Sequence, residues 1–192
     1  MITLAEFTLF WLALVFAIQL VYILVVFGKL AFYKEEVKGN ISVPAISVII
    51  AARNEYENLL KLIPMLLAQD HTNFEVIIVD DRSTDESFMY LLKLKEQEPR
   101  IKHCRIDHTP EHINPKKFAL TMGIKAAQHD HLLFTDADCL PSSNSWIREM
   151  AGKYQEKEGA EFVLGFSQYE KEPGFLNTFI RFETLLVGVQ YL

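Results

Sequence analysis

Asp136 and Asp138 stand one residue apart at the end of the apolar run Leu132-Leu133-Phe134. No polar residue interrupts that run before Thr135, so it reads as a buried strand. Both carboxylates then fall where the chain leaves the core, at the strand's carboxyl end. Two hard oxygen ligands so placed can hold Mg²⁺ or Mn²⁺, ions that take carboxylate and water and bridge substrate phosphates. Ala137 between them keeps the turn open. An isolated Asp-x-Asp is equally an ordinary turn, so its surroundings decide. Asp80 and Asp81 also close an apolar run, 74–79. They either cap the positive end of a following helix or accept hydrogen bonds from a base or ribose. Lys116 and Lys117 open a helix after a polar loop. They are either solvated or aimed at a diphosphate from a helix start.

The elements that must position these groups are short. Residues 45–52 form a β-branched run ending in small residues, a central strand followed by Arg53-Asn54-Glu55. Residues 58–69 carry leucine and isoleucine at helical spacing, with Pro64 making the helix kink or start late. After the 74–79 strand, Ser83 and Glu86 have capping-box spacing, which predicts a helix from there to about Gln97, stopped by Pro99. Residues 101–106 read as a strand nearer an edge, 116–129 as a helix, 145–156 as a helix, 162–166 as a fifth strand and 175–192 as an apolar helix. Alternating strands and helices predict an α/β, mostly parallel sheet with right-handed crossovers. Ligands of such sheets bind beyond the carboxyl ends of the strands, where strand order reverses. The polar clusters lie at carboxyl ends and none at amino ends.

Composition narrows the classes. The chain has 192 residues, half of them apolar, and a net charge of −6. No basic block exists, which argues against nucleic acid as a partner. The two cysteines, Cys104 and Cys139, are far apart and lack metal or redox spacing. All six histidines read as surface or structural residues. Arg181 and Glu183 read as helix surface charges. Neither Gly-x-Gly-x-x-Gly nor a Gly-Lys-Ser/Thr loop is present, so phosphate must be held another way, which a metal on Asp136 and Asp138 would supply. Residues 7–27 are apolar apart from Thr8 and Gln19, about the roughly 20 residues a helix needs to cross a bilayer. The start has no Lys or Arg and no Ala-x-Ala follows, unlike a signal peptide. Lys29, Lys34 and Lys38 follow the span, which places the remainder in the cytoplasm by the positive-inside rule.

Taken in order, Ser47-Val48-Ile49-Ile50-Ala51-Ala52-Arg53-Asn54-Glu55, Asp80-Asp81-Arg82-Ser83-Thr84-Asp85, Lys116-Lys117-Phe118-Ala119-Leu120 and Thr135-Asp136-Ala137-Asp138 resemble the motif series of glycosyltransferase family 2, most closely its membrane-anchored bacterial members. The resemblance covers about residues 44–166. It implies a GT-A, Rossmann-like nucleotide-sugar-binding domain at 45–192, after a transmembrane helix at 4–28 and a linker at 29–44. It implies an inverting, metal-dependent transfer from a nucleotide-diphosphate sugar, commonly a UDP-sugar, to a polysaccharide or lipid-linked acceptor of the cell envelope, at the bacterial inner membrane. Ala51, Glu55 and Asp81 would line the nucleoside pocket, flanked by Ala52, Arg53 and Asp80. Lys116, with Lys117 beside it, would approach the diphosphate. Asp136 would reach the ribose or metal side next to Ala137, and Asp138 would ligate Mn²⁺ or Mg²⁺. Pro115 departs from the family pattern, where Gly often precedes the lysine. No acidic base motif follows Phe166, so the expectation is an incomplete domain whose acceptor half and catalytic base lie beyond Leu192. Two alternatives stand beside this reading. One is a phosphatase or phosphotransferase with Asp136 as nucleophile. The other is a non-catalytic, membrane-anchored nucleotide-binding protein.

Overall fold

A computed structural model of the chain describes residues 3–32, 43–156 and 161–190. The chain divides into two units, Asn40–Gly165 and a second made of Met1–Gly39 with Phe166–Leu192. In the first unit, β1 (Ile46–Ala52), β2 (Phe74–Asp81), β3 (Ile101–Ile106) and β4 (His131–Asp136) form one sheet. Its order is β3-β2-β1-β4 and every pairing is parallel. β1 and β2 are interior and almost wholly buried, which is why they read as continuous apolar runs.

Helices cover both faces. On one face α2 (Tyr56–Leu67), α3 (Ser87–Gln97) and α5 (Trp146–Glu156) bury Leu59, Leu62, Ile63, Leu66, Leu91 and Ile147 against Ile46, Val48, Ile50, Val76 and Ile78. On the other, α4 (Pro115–Ala126) sets Ala119 against Ile49, Ile77, Val79 and Ile106. The alternation of β1 and β2 side chains between these two cores follows from the period of two along a strand. Asn114 caps α4 by accepting from the Lys117 N–H at 3.3 Å, and Pro115 occupies the first turn, where its missing N–H costs nothing.

Several expectations change. α2 begins at Tyr56, before Pro64, so it neither starts late nor breaks; the proline sits in the last turn and its carbonyl still accepts from Ala68. Ser83 does not cap α3. Its hydroxyl accepts from the Asn54 N–H at 2.9 Å, and Asp85 takes the Ser87 N–H at 3.0 Å instead. β4 is not buried: it lies at a sheet edge and Phe134 is 45% exposed, because α4 packs over β1, β2 and β3. Residues 162–166 form no strand. Their backbone has no ladder partner among the described residues, and with Phe162, Leu164 and Phe166 exposed its polar groups are left to solvent. The edge position expected for 101–106 is observed.

The second unit contains α1 (Leu4–Ala31) and α6 (Phe175–Gln190), which pack against each other. Thr3 and Glu6 form a reciprocal cap at the start of α1: the Thr3 N–H donates to Glu6 Oε2 at 2.8 Å and the Glu6 N–H to Thr3 Oγ at 3.3 Å. Residues 4–25 have a mean hydropathy of 2.4, and α1 is the helix among the described residues long and apolar enough to cross a membrane. Most of the expected linker, residues 33–42, lies outside the described residues.

Candidate functional site

The parallel register brings three strand ends to one rim. Ala51 pairs with Asp136 across β1 and β4, and Ala52 with Asp80 across β1 and β2. From β1 the chain proceeds outward through β2 to β3, then crosses back so that β4 joins the other side of β1. The order therefore reverses between β1 and β4, which is where open α/β sheets leave a crevice.

That crevice is a cavity of about 330 Å³. Ala51, Ala52, Arg53 and Glu55 line it from β1 and the following turn, and Asp81 from β2. Pro115, Lys116 and Ala119 come from the start of α4, and Asp136, Ala137 and Asp138 from the end of β4. Small residues at Ala51, Ala52, Ala119 and Ala137 give the cavity its depth. The sequence-expected positions thus converge, except two. Asp80 is fully buried beneath the rim, and Lys117 points to solvent from the first turn of α4. Pro115 and Ala119 were not foreseen as lining; they reach the cavity because the first turn of α4 leans on the switch point.

The turns after β1 and β2 are laced together. Asn54 adopts a left-handed conformation, φ 56°, and its side-chain Oδ1 accepts from the Thr84 N–H at 2.7 Å. The Tyr56 N–H donates to Asp85 Oδ2, and the Glu55 N–H to Ser87 Oγ, both at 3.2 Å. Asp80 Oδ1 accepts from the Ser83 N–H at 3.0 Å. Arg82 also has φ 56° and turns its guanidinium back onto Asp81, Nε to Oδ1 at 2.8 Å. Non-glycine residues hold this backbone region only where neighbours fix them, so the two turns brace each other behind Arg53, Glu55 and Asp81, which line the cavity. These long-range partners carry no local sequence mark.

Charge at the open side is balanced by a pair. Lys116 Nζ lies 2.7 Å from Asp136 Oδ1, with both side chains about half exposed. The hydrogen bond to Asp136 raises the Lys116 pKa; burial opposes it, and the charges of Asp136 and Asp138 add to the rise. Cys139 donates weakly to Asp138 Oδ1 at 3.5 Å, and burial together with the Asp138 charge pushes its thiol pKa up.

A divalent ion fits this donor set in one particular way. Among the described residues no three His, Cys, Asp or Glu side chains converge as a cage. Asp136 and Asp138 are exposed and each has a second carboxylate oxygen besides the one contacted by Lys116 or Cys139, a donor set for an ion that completes its shell with water and substrate phosphate.

A parallel, doubly covered sheet with a carboxylate-rimmed cavity at its switch point is the GT-A, Rossmann-like arrangement. The sequence matches the family described as Glycosyl transferase family 2 over residues 47–186, and the chain belongs to that family. It is 30% identical over 138 residues to a beta-monoglucosyldiacylglycerol synthase of Nostoc sp. (strain PCC 7120 / SAG 25.82 / UTEX 2576), a match covering 71% of this chain and 29% of the relative. It is 28% identical over 129 residues to the glycosyltransferase GlyG of Streptococcus pneumoniae serotype 4, covering 67% and 41%. The chain thus spans less than half the length of these relatives. The fold is shared with the mannosyltransferase PcManGT from Pyrobaculum calidifontis, solved with GDP-Man and Mn²⁺, at a TM-score of 0.54 and 22% identity, covering 67% of this chain and 37% of that one. S. aureus TarS 1-349 shares it at a TM-score of 0.50 and 23% identity, covering 66% and 40%.

Proposed function

We propose that the chain is the donor-binding part of a membrane-anchored glycosyltransferase, which moves a sugar from a nucleotide-diphosphate donor, a UDP-sugar, to a lipid-linked or polysaccharide acceptor with inversion. The observation that carries this reading is the convergence of Asp81, Lys116, Asp136 and Asp138 on one cavity at the β1–β4 switch point. Asp81 and Glu55 supply acceptors for the donor and hydroxyl groups of a nucleoside. Ala51 and Ala52 leave room for its ring. Lys116 supplies a positive charge to the diphosphate. Asp138, with Asp136, holds Mn²⁺ or Mg²⁺, whose contribution is to offset negative charge on the departing diphosphate. α1 anchors the chain, and its lysine-flanked end at residues 29–38 places the cavity on the cytoplasmic side. The Nostoc relative's name records a glucosylated diacylglycerol, which favours a lipid acceptor for a chain with an apolar first helix. Family membership favours sugar transfer over phosphotransfer from Asp136.

The test is a UDP titration of the full chain in detergent, with and without Mn²⁺, followed by thermal unfolding. Bound nucleotide raises the midpoint by mass action. The expected result is a rise that needs the metal and disappears in Asp138→Asn. Metal-independent binding that survives in Asp138→Asn would overturn the assignment of the two carboxylates.

A further inference from the structure

His103 and Asp80 meet under the rim with a polar gap between them. His103 lies on β3 opposite Ile78, two residues before the Asp80–Arg105 register pair and so on the same face of the sheet as it. Its side chain is 3% exposed and that of Asp80 0%. His103 Nε2 and Asp80 Oδ2 are 4.0 Å apart, and neither has a hydrogen-bond partner. Buried polar atoms of this kind are ordinarily satisfied, and here an imidazole nitrogen and a carboxylate oxygen, complementary in kind, lie 4.0 Å apart. A movement of about 1 Å, or one bridging water, joins them. The imidazole is held from the other side by Phe88 of α3, with ring centroids 5.6 Å apart, and Phe88 is in turn covered by the Arg105 guanidinium at 3.9 Å.

Asp80 is the link to the site. Its other oxygen fixes the Ser83 N–H, and Ser83 Oγ fixes the Asn54 N–H. The turn after β1, which gives Arg53 and Glu55 to the cavity, is therefore tied through Ser83 to the orientation of one carboxylate, and Asp81, which also lines the cavity, is the next residue along the chain. We infer that His103 is a positioning residue for the donor cavity: its Nε2–H donates to Asp80 Oδ2, fixes that carboxylate, and thereby sets where Asp81 presents itself to the nucleoside. The inference rests on the donor-site reading above. The charged groups facing the ring are Asp80 from β2, Lys95 from α3 and Arg105 from β3. Burial lowers the His103 pKa, Lys95 and Arg105 lower it further, and Asp80 opposes them. The lowered pKa favours the neutral ring, which has one N–H to give.

The experiment uses the full chain in detergent with His103→Leu and His103→Gln, the glutamine amide N–H replacing that of the imidazole. Hydrogen exchange of residues 80–85 and affinity for UDP with Mn²⁺ are measured in parallel. His103→Leu is expected to speed exchange and weaken UDP binding about tenfold each, the scale of one lost buried hydrogen bond, with His103→Gln recovering most of both. Unchanged exchange, or equal UDP affinity in wild type and His103→Leu, overturns the inference. A wild-type chain that binds no UDP overturns the donor-site reading beneath it instead. Should His103→Leu fail to fold, the ¹⁵N spectrum of the wild-type imidazole decides. A neutral ring protonated at Nε2 supports the inference, and one protonated at Nδ1 with Nε2 bare overturns it.

Discussion

Glu75 shows how a single side chain can fasten one end of the sheet while the chemistry occupies the other. At the start of β2 it accepts from Ser47 Oγ at 2.6 Å and the Gln128 N–H at 2.7 Å, and Lys102 Nζ lies 2.7 Å from its second oxygen. Burial alone would raise its pKa; the Lys102, Ser47 and Gln128 contacts outweigh that and bring it below the ordinary value of 4.5. A carboxylate with a lower pKa folded than unfolded stabilises the fold above its unfolded pKa, and loses that contribution as pH falls through its folded pKa. Denaturant unfolding between pH 7 and 3 is expected to show a shallower acid loss in Glu75→Gln than in wild type, and identical slopes would refute the linkage. Asn54 makes a second residue-scale case. Asn54→Ala removes both the acceptor for Thr84 and a side chain that tolerates the left-handed backbone, so a loss of about 1–3 kcal/mol is expected in equilibrium unfolding, with weaker UDP binding. At this scale the sequence showed which residues are acidic and where strands end. It did not show that Ser83 serves Asn54, 29 positions away, in place of its own helix. It also did not show that His103 is enclosed, because enclosure comes from Phe88 and Asp80 on other elements.

The elements themselves were legible where burial was symmetrical. β1 and β2 are covered on both faces and announced themselves as unbroken apolar runs. β4 looked the same in sequence, yet it is an edge strand, since composition alone does not say how many neighbours a strand has. Residues 162–166 failed for the same reason: strand propensity describes fitness for a sheet and supplies no partner. The seat of α4 depends on a detail that pattern reading passes over. A Cβ built on Gly123 would collide with the Ile49 side chain and come within 3.3 Å of Val79 Cγ2. The helix lies that close to β1 and β2 because nothing projects there. Gly123→Ala is therefore expected to destabilise by about 1–3 kcal/mol through overpacking, despite alanine's better helix propensity. Chemical denaturation measures it, and the penalty of Gly123→Ala should be smaller in an Ile49→Ala background, which removes the clashing Cγ2. A stabilised Gly123→Ala protein would show that α4 can move off the sheet at no cost.

Over the whole chain, the α/β class, the parallel sheet and the placement of polar groups at the carboxyl ends followed from the order of apolar runs. By contacts, residues 166–192 group with 1–39, and the intervening 126 positions form the sheet unit. Membrane attachment is tested at this scale. The full chain is expected to remain in the pellet after alkaline washing of membranes. Replacing Leu14 and Phe16 with Lys, each about 2.5–3.5 kcal/mol against insertion near a helix centre, should move it to the supernatant. Retention of the doubly substituted chain would argue that α1 does not hold it there.

β4 has a consequence for how the chain behaves in company. It pairs with β1 on one side and with no strand on the other among the described residues. Every second amide along His131–Asp136 therefore faces outward, beside a half-bare aromatic ring at Phe134. An open ladder of this kind is a template that any extended segment can join, including the same strand from another molecule. The terminus of that ladder is Asp136, so a strand added there would end at the β4 wall of the cavity. Self-association through this edge is the expected behaviour of the isolated chain at high concentration, and a light-scattering titration against chain concentration measures it.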